Sequence, residues 1–233
     1  MENTTARPAP AETPRLPVLG MVVAGLAIAA MAAVSRTAWP ELAEMVHGGR
    51  YNLDGSPNMV PRWLLAGAVP FTTALVAAIL SVVPTLGERL QSGLNLPVRQ
   101  TARGTTRAMN ALLVLLSLFL LVAHSITVFN GAGWDLPTTK IAGVSVGLLL
   151  IGAALVVLAT TSAPSGGRDT ALHRWWADAR RPMTVAIVAV GVVQIAVALL
   201  VENGLVVGSV SLLLLPAMVP ALALPLLRGR RRG

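Results

Sequence analysis

The stretch AMNALLVLLSLFLLVAHSITVF at residues 108–129 contains no Asp, Glu, Lys or Arg, and its length decides the class of the chain. At about 1.5 Å of rise per residue, such a run covers the roughly 30 Å of hydrocarbon in a bilayer. Five further runs match it, at 18–34, 63–83, 141–159, 183–201 and 205–227, and none carries a charge. Lipid offers no hydrogen-bond partner to the backbone, so only helices and closed barrels cross it, and these runs lack the alternation of a barrel strand. The expected fold is all-α: a polytopic membrane protein with six transmembrane helices.

Basic residues give the orientation. Of the eighteen Lys and Arg, fourteen lie in alternate gaps: Arg7 and Arg15; Arg89, Arg99, Arg103 and Arg107; Arg168, Arg174, Arg180 and Arg181; and Arg228, Arg230, Arg231 and Arg232. The other gaps hold Arg36, Arg50, Arg62 and Lys140 together with Glu41, Glu44, Asp54, Asp135 and Glu202. Basic loops stay in the cytoplasm, so both termini are expected there. Trp39, Trp63 and Trp134 then mark the outer headgroup level, and Trp175 and Trp176 the inner one.

The net charge of +8 follows from this insertion signal and favours anionic lipid, so the bilayer is the expected partner and nucleic acid is not. No cysteine is present, which removes disulfides, a thiol nucleophile and any thiolate metal site. One lysine against seventeen arginines, with abundant Ala, Val, Leu and Gly, suggests a bacterial chain from a GC-rich genome and hence the bacterial cytoplasmic membrane.

Four segments organise the chain: a disordered, proline-rich cytoplasmic tail at 1–17, a two-span unit with an outward loop at 18–84, a four-span helical bundle at 85–227 and a basic tail at 228–233. Ala29 to Ser35 resembles a small-residue cleavage site, but the long tail and long apolar run read as a retained first span. The gap at 87–104 and the Pro164, Ser165, Gly166, Gly167 sequence read as turns. Gly143 with Gly147, and Gly25 with Ala29 and Ala33, have the small-xxx-small spacing of close helix packing. Pro216, Pro220 and Pro225 predict a kink or break in the inner half of span six.

Span three alone carries polar residues in register. Asn110, Ser117 and His124 are spaced seven apart and drift only about 20° per step, so they form one stripe that should face the bundle, with Gln194 of span five as a partner. Leu113 and Leu120 are expected on the opposite face. The stripe admits a packing role or a binding or proton-relay role. His47, His124 and His173 do not gather with acids, so no metal is expected. No Gly-x-Ser-x-Gly turn, Walker loop, His-Glu-x-x-His or acid pair occurs, which predicts no enzyme and no cofactor.

The first outward gap reads Trp39, Pro40, then His47, then Tyr51, Asn52, Leu53, Asp54, Gly55, Ser56, Pro57 and Asn58, followed by Arg62 and Trp63 and a span bearing Pro70. Asp54, Gly55, Ser56 and Pro57 predict a tight turn, with Gly55 at positive φ and Pro57 setting the exit. This order resembles the loop between the first two spans of the SdpI-like bacterial immunity-protein family, over about residues 36–84. There a His precedes an aromatic-Asn-x-x-Gly-x-Pro-Asp/Asn turn directly; here Arg50 holds that place and His47 lies three residues earlier, with Gly48, Gly49 and Arg50 read either as an insertion or as replacing the His. A Gly-Asn-x-Leu-Pro-Lys motif of better-known members is missing.

The resemblance implies a membrane immunity or signalling protein, acting against a secreted peptide outside or sequestering a repressor inside. By the same resemblance, the residues meeting an outside ligand would be His47, Tyr51, Asn52, Asp54, Gly55 and Pro57. The rival expectation is a small transporter or permease subunit, drawn from the prolines of span six and the polar stripe. The oligomeric state is not legible.

Overall fold

The computed structural model describes residues 16–51, 54–94, 102–159 and 171–230. The tail at 1–15, Asn52 and Leu53, the expected turn at 164–167 and the last three residues lie outside them. Seven α-helices and one β-hairpin form in the order α1 (Val18–Ala38), β1 (Met45–Tyr51), β2 (Pro57–Pro61), α2 (Arg62–Leu94), α3 (Ala102–Gly131), α4 (Thr138–Ala159), α5 (Ala171–Leu200), α6 (Gly204–Val210) and α7 (Leu214–Arg230). A single 3₁₀ turn at Ser211–Leu213 joins the last two. Among the described residues, six segments are long and apolar enough to cross a membrane: Val18–Ala38, Arg62–Val82, Thr106–Gly131, Thr138–Ala159, Trp175–Leu200 and Gly204–Ala223. The chain is an all-α multi-pass membrane protein.

The helices pack as two groups. In the first, α1 lies chiefly against α3, with α2 resting on both; in the second, α5 packs against α4 and α7; the α3–α4 hairpin joins the two groups. The packing boundary therefore falls after α3 and not at residue 85, because the third span covers the face of the first. Helix α2 is the most peripheral, leaving Phe71, Leu75, Ile79 and Val82 exposed toward the lipid position.

Three helices run past their hydrophobic spans. Helix α2 continues through Pro84 to Leu94, α3 starts at Ala102, and α5 starts at Ala171, with Pro182 inside it. Of the gap at 87–104, which reads as a turn, residues 87–94 and 102–104 are thus helical: Glu, Arg, Leu, Gln and Ala are good helix formers, and removal from lipid does not end a helix.

Glycines draw α4 and α5 together. A Cβ on Gly147 would lie 2.5 Å from Ile195 Cγ1 and 2.7 Å from the Gly191 carbonyl oxygen, and one on Gly191 would lie 2.9 Å from the Gly147 oxygen. The two backbones meet at a distance only glycine permits, which is how helices associate where lipid supplies no hydrophobic drive. The second small-residue series is corrected: Gly25, Ala29 and Ala33 are exposed, and a Cβ on Gly25 would meet nothing. Helix α1 instead packs through Gly20, Ala24, Ala27, Met31, Ser35 and Ala38. Both series consist of small apolar residues, so nothing in composition separates the lipid-facing one from the packed one.

The break in span six comes earlier than expected, at Ser211–Leu213, one turn before Pro216 and in the N-terminal half of the segment. Pro216 has no N–H for the Leu212 carbonyl, and its ring crowds that carbonyl, so the distortion falls on the preceding turn. Beyond it, α7 runs unbroken past Pro220 and Pro225.

Candidate functional site

The first gap is an ordered antiparallel hairpin, with the expected tight turn of Asp54, Gly55, Ser56 and Pro57 at its tip. Its register pairs Met45 with Pro61, Val46 with Val60, His47 with Met59 and Tyr51 with Pro57. Three residues lie between His47 and Tyr51 but only one between Pro57 and Met59, so Gly48, Gly49 and Arg50 fall in a bulge on β1. Gly55 takes φ +79° at the tip. Asp54 Oδ1 accepts the Ser56 N–H at 3.0 Å and the Ser56 hydroxyl at 2.7 Å, closing an Asx turn. The hydroxyl first, and then the N–H, hold the Asp54 carboxyl below its ordinary pKa of 3.8. His47, Asp54, Gly55 and Pro57 are exposed, whereas Asn52 lies outside the described residues.

This hairpin is seated on three helix ends. Val46 joins Ala38 at the end of α1, Leu42 just beyond it, Leu65 of α2 and Val128 of α3 in one buried apolar cluster, with Phe129 packed against it. Around the rim, the Arg62 N–H donates to the Glu44 carbonyl at 3.0 Å and the Arg62 guanidinium lies 4.8 Å above the Trp39 ring. Trp134 Nε1 donates to Glu41 Oε2, and the Trp134 ring stacks on Phe129 at 4.4 Å. The hairpin thus forms a lid fastened to the ends of α1, α2 and α3.

Beneath the lid lies the polar stripe of α3, half-buried at Asn110 and buried at Ser117 and His124, which forms the seam with α1. Asn110 Oδ1 accepts the Gly20 N–H at 2.8 Å. That N–H belongs to the first turn of α1, whose N-cap, Pro17, supplies no side-chain bond, so Asn110 caps the helix from a neighbour. Ser117 is buried midway. Leu113 is not on the opposite face: it is 1% exposed and packs on Gly20, because it lies three residues after Asn110 and four before Ser117.

His124 is completely buried. Its Nε2 is 2.9 Å from Ser35 Oγ and 3.2 Å from the Met31 carbonyl oxygen, both on α1. A carbonyl only accepts, so the proton sits on Nε2 and is shared between the two oxygens. The Ser35 hydroxyl then donates to the Ala66 carbonyl of α2 at 3.4 Å. One imidazole and one hydroxyl in this way link α3, α1 and α2 directly below the lid. The remaining ring nitrogen, Nδ1, is a buried acceptor with no partner. With Nε2 donating, the imidazole does not take the serine proton, and the arrangement is a clamp rather than a nucleophile and its base.

Gln194 is not part of this clamp. Its Nε2 donates to the Val207 carbonyl at 3.0 Å, and its Oε1 accepts from Ser211 Oγ at 3.3 Å. The Ser211 N–H turns to the Ser209 oxygen, which leaves the Val207 carbonyl for Gln194. Gln194 therefore staples the break in span six from α5, supplying the bond the helix gave up. Ser35, Met31 and Ser211 were missed as partners; Ser35 stands just past the first apolar run, and no spacing rule pairs it with a residue on another helix. Among the described residues, no three His, Cys, Asp or Glu side chains gather to hold a metal ion.

No family model, no curated protein and no solved structure matches this chain.

Proposed function

We propose that this is a non-catalytic protein of the bacterial cytoplasmic membrane, an immunity or signalling protein whose hairpin faces outward and meets a secreted peptide or another sign of envelope stress. The observation that carries the reading is the lid itself. A loop that only closes two spans needs no β-ladder, yet this one has a register, a positive-φ glycine at its tip and an apolar core shared with three helices. A ligand held by such a lid can shift helix ends, because the His124 and Ser35 clamp ties those helices together beneath it. The split of basic residues supports the outward placement.

A second reading, a small transporter or permease subunit, draws on the broken span six and its Gln194 staple, since interrupted helices line many transport sites. One experiment separates them. A strain lacking the gene is challenged with culture-supernatant peptides from sibling strains and complemented with variants. Gly55→Val should insert and express normally but fail to protect, because a β-branched residue at φ +79° adds roughly 1–2 kcal/mol of strain to the tip. Gln194→Leu should protect. The opposite pattern favours transport and ends the immunity reading.

A further inference from the structure

The exposed face of the hairpin carries a group of side chains outside the apolar cluster that seats the lid. Residues opposite one another in an antiparallel ladder share a face, as do residues two apart on one strand. His47 faces Met59 across the ladder, and Met45 stands two positions before His47. Met45, His47 and Met59 therefore occupy one face, while Val46 and Val60 occupy the other. Exposure follows this division: Met45 is 47% and Met59 44% accessible, and Val46 is 7%. The bulge begins beyond His47, so this pair sits in regular ladder, where Cβ atoms lie about 4.5–5.5 Å apart. Met45 is within about 7 Å of His47 along the strand. Methionine is long, unbranched and free about three side-chain bonds, so two thioethers and an imidazole can converge on one point above the strands.

This donor set is chemically selective. Thioether sulfurs are soft and neutral: they offer little to Mg²⁺ or Ca²⁺, which need oxygen, and they are not the thiolates, imidazoles and carboxylates that hold Zn²⁺. Two thioethers with one imidazole suit a soft monovalent ion. We propose that Met45, His47 and Met59 form a surface site for Cu(I), with Ag(I) as its chemical equivalent. The site rests on the proposed function only for its place outside the cell; the shared face of its three ligands follows from the strand register.

The test uses the full-length protein, purified in detergent without oxygen and titrated with Cu(I) against the chromophoric chelator bathocuproine disulfonate, with Ag(I) in parallel. One equivalent of Cu(I) should bind, and X-ray absorption should report two sulfur neighbours and one nitrogen. Met45→Leu, Met59→Leu and His47→Gln should each weaken binding at least about tenfold, the loss that removal of even an outer-shell partner causes at a metal site. The double variant Met45→Leu/Met59→Leu should not compete at all, although leucine preserves the apolar bulk and the Asp54–Ser56 turn should keep its amide signals. Binding by the double variant equal to wild type, absence of a stoichiometric site, or equal retention of Zn²⁺ on the same residues would each overturn the proposal. Loss of the metal site with Gly55→Val still unprotective would remove this inference and leave the immunity reading. A metal site intact alongside full protection by Gly55→Val would do the reverse.

Discussion

Replacing His124 with Leu should leave the protein as stable as wild type or slightly more stable, despite the complete burial of the imidazole. The Nε2 proton is shared between Met31 O and Ser35 Oγ. Neither is left without a partner by the change: Met31 O keeps the Ser35 backbone N–H of the α1 ladder, and the Ser35 hydroxyl still donates to Ala66. The lost bond is worth about 0.6–2 kcal/mol inside a membrane protein. Against it stands Nδ1, an acceptor buried without a partner, a condition that costs roughly 1–3 kcal/mol and that leucine removes. The two effects cancel to within about 1–2 kcal/mol, on the stabilising side. Leu113→Ala, which opens a cavity against Gly20, should by contrast cost about 2–4 kcal/mol. Unfolding of the purified variants in mixed micelles with rising SDS fraction gives both values under one protocol. If His124→Leu were as damaging as Leu113→Ala, Nδ1 must have a partner in the membrane and the proton assignment on Nε2 is wrong. If the variant folds well but no longer protects cells, the imidazole is kept for function and not for stability.

Three further outcomes are expected. Gly191→Leu should separate α4 from α5 at a cost of at least about 1–3 kcal/mol, because the new Cβ meets the Gly147 backbone at 2.9 Å; unfolding at the wild-type SDS fraction would refute the close approach. The Ser56 amide resonance should titrate with a midpoint below 3.8, the ordinary Asp value, since the Ser56 bonds favour the ionised carboxyl. The help that Asp54 gives the turn is thus complete above pH 3.8 and lost as pH falls through the lowered folded-state value; a midpoint at or above 3.8, or no upward move in Ser56→Ala, would contradict the Asx turn. As the chain lacks cysteine, Ser56→Cys should label from outside intact cells and Ser165→Cys only after permeabilisation, and the reverse pattern would invert the proposed orientation.

Six spans were legible from the residues alone because the hydrocarbon layer sets a requirement each segment meets by itself: length, absence of charge and internally paired backbone. The turn at Gly55 was legible for a similarly local reason, since only neighbouring dihedrals and the Asp54 side chain decide it. The stripe of Asn110, Ser117 and His124 could be assigned to the interior because polar groups avoid lipid, yet its partners could not be read. Gly20, Ser35 and Met31 lie on another helix, and which faces meet is set by packing between surfaces that are apolar on every side. The same uniformity hid the exposed Gly25 series, the burial of Leu113 and the pairing of Gln194 with α6 rather than α3. In water, an amphipathic helix announces its inner face; in lipid the inner and outer faces share one chemistry, so only the assembled bundle decides between them. The hairpin belongs to the same category: Met45–Tyr51 carries two adjacent glycines and a weak alternation, and it becomes a strand because Val46 finds a cluster built from three helix ends.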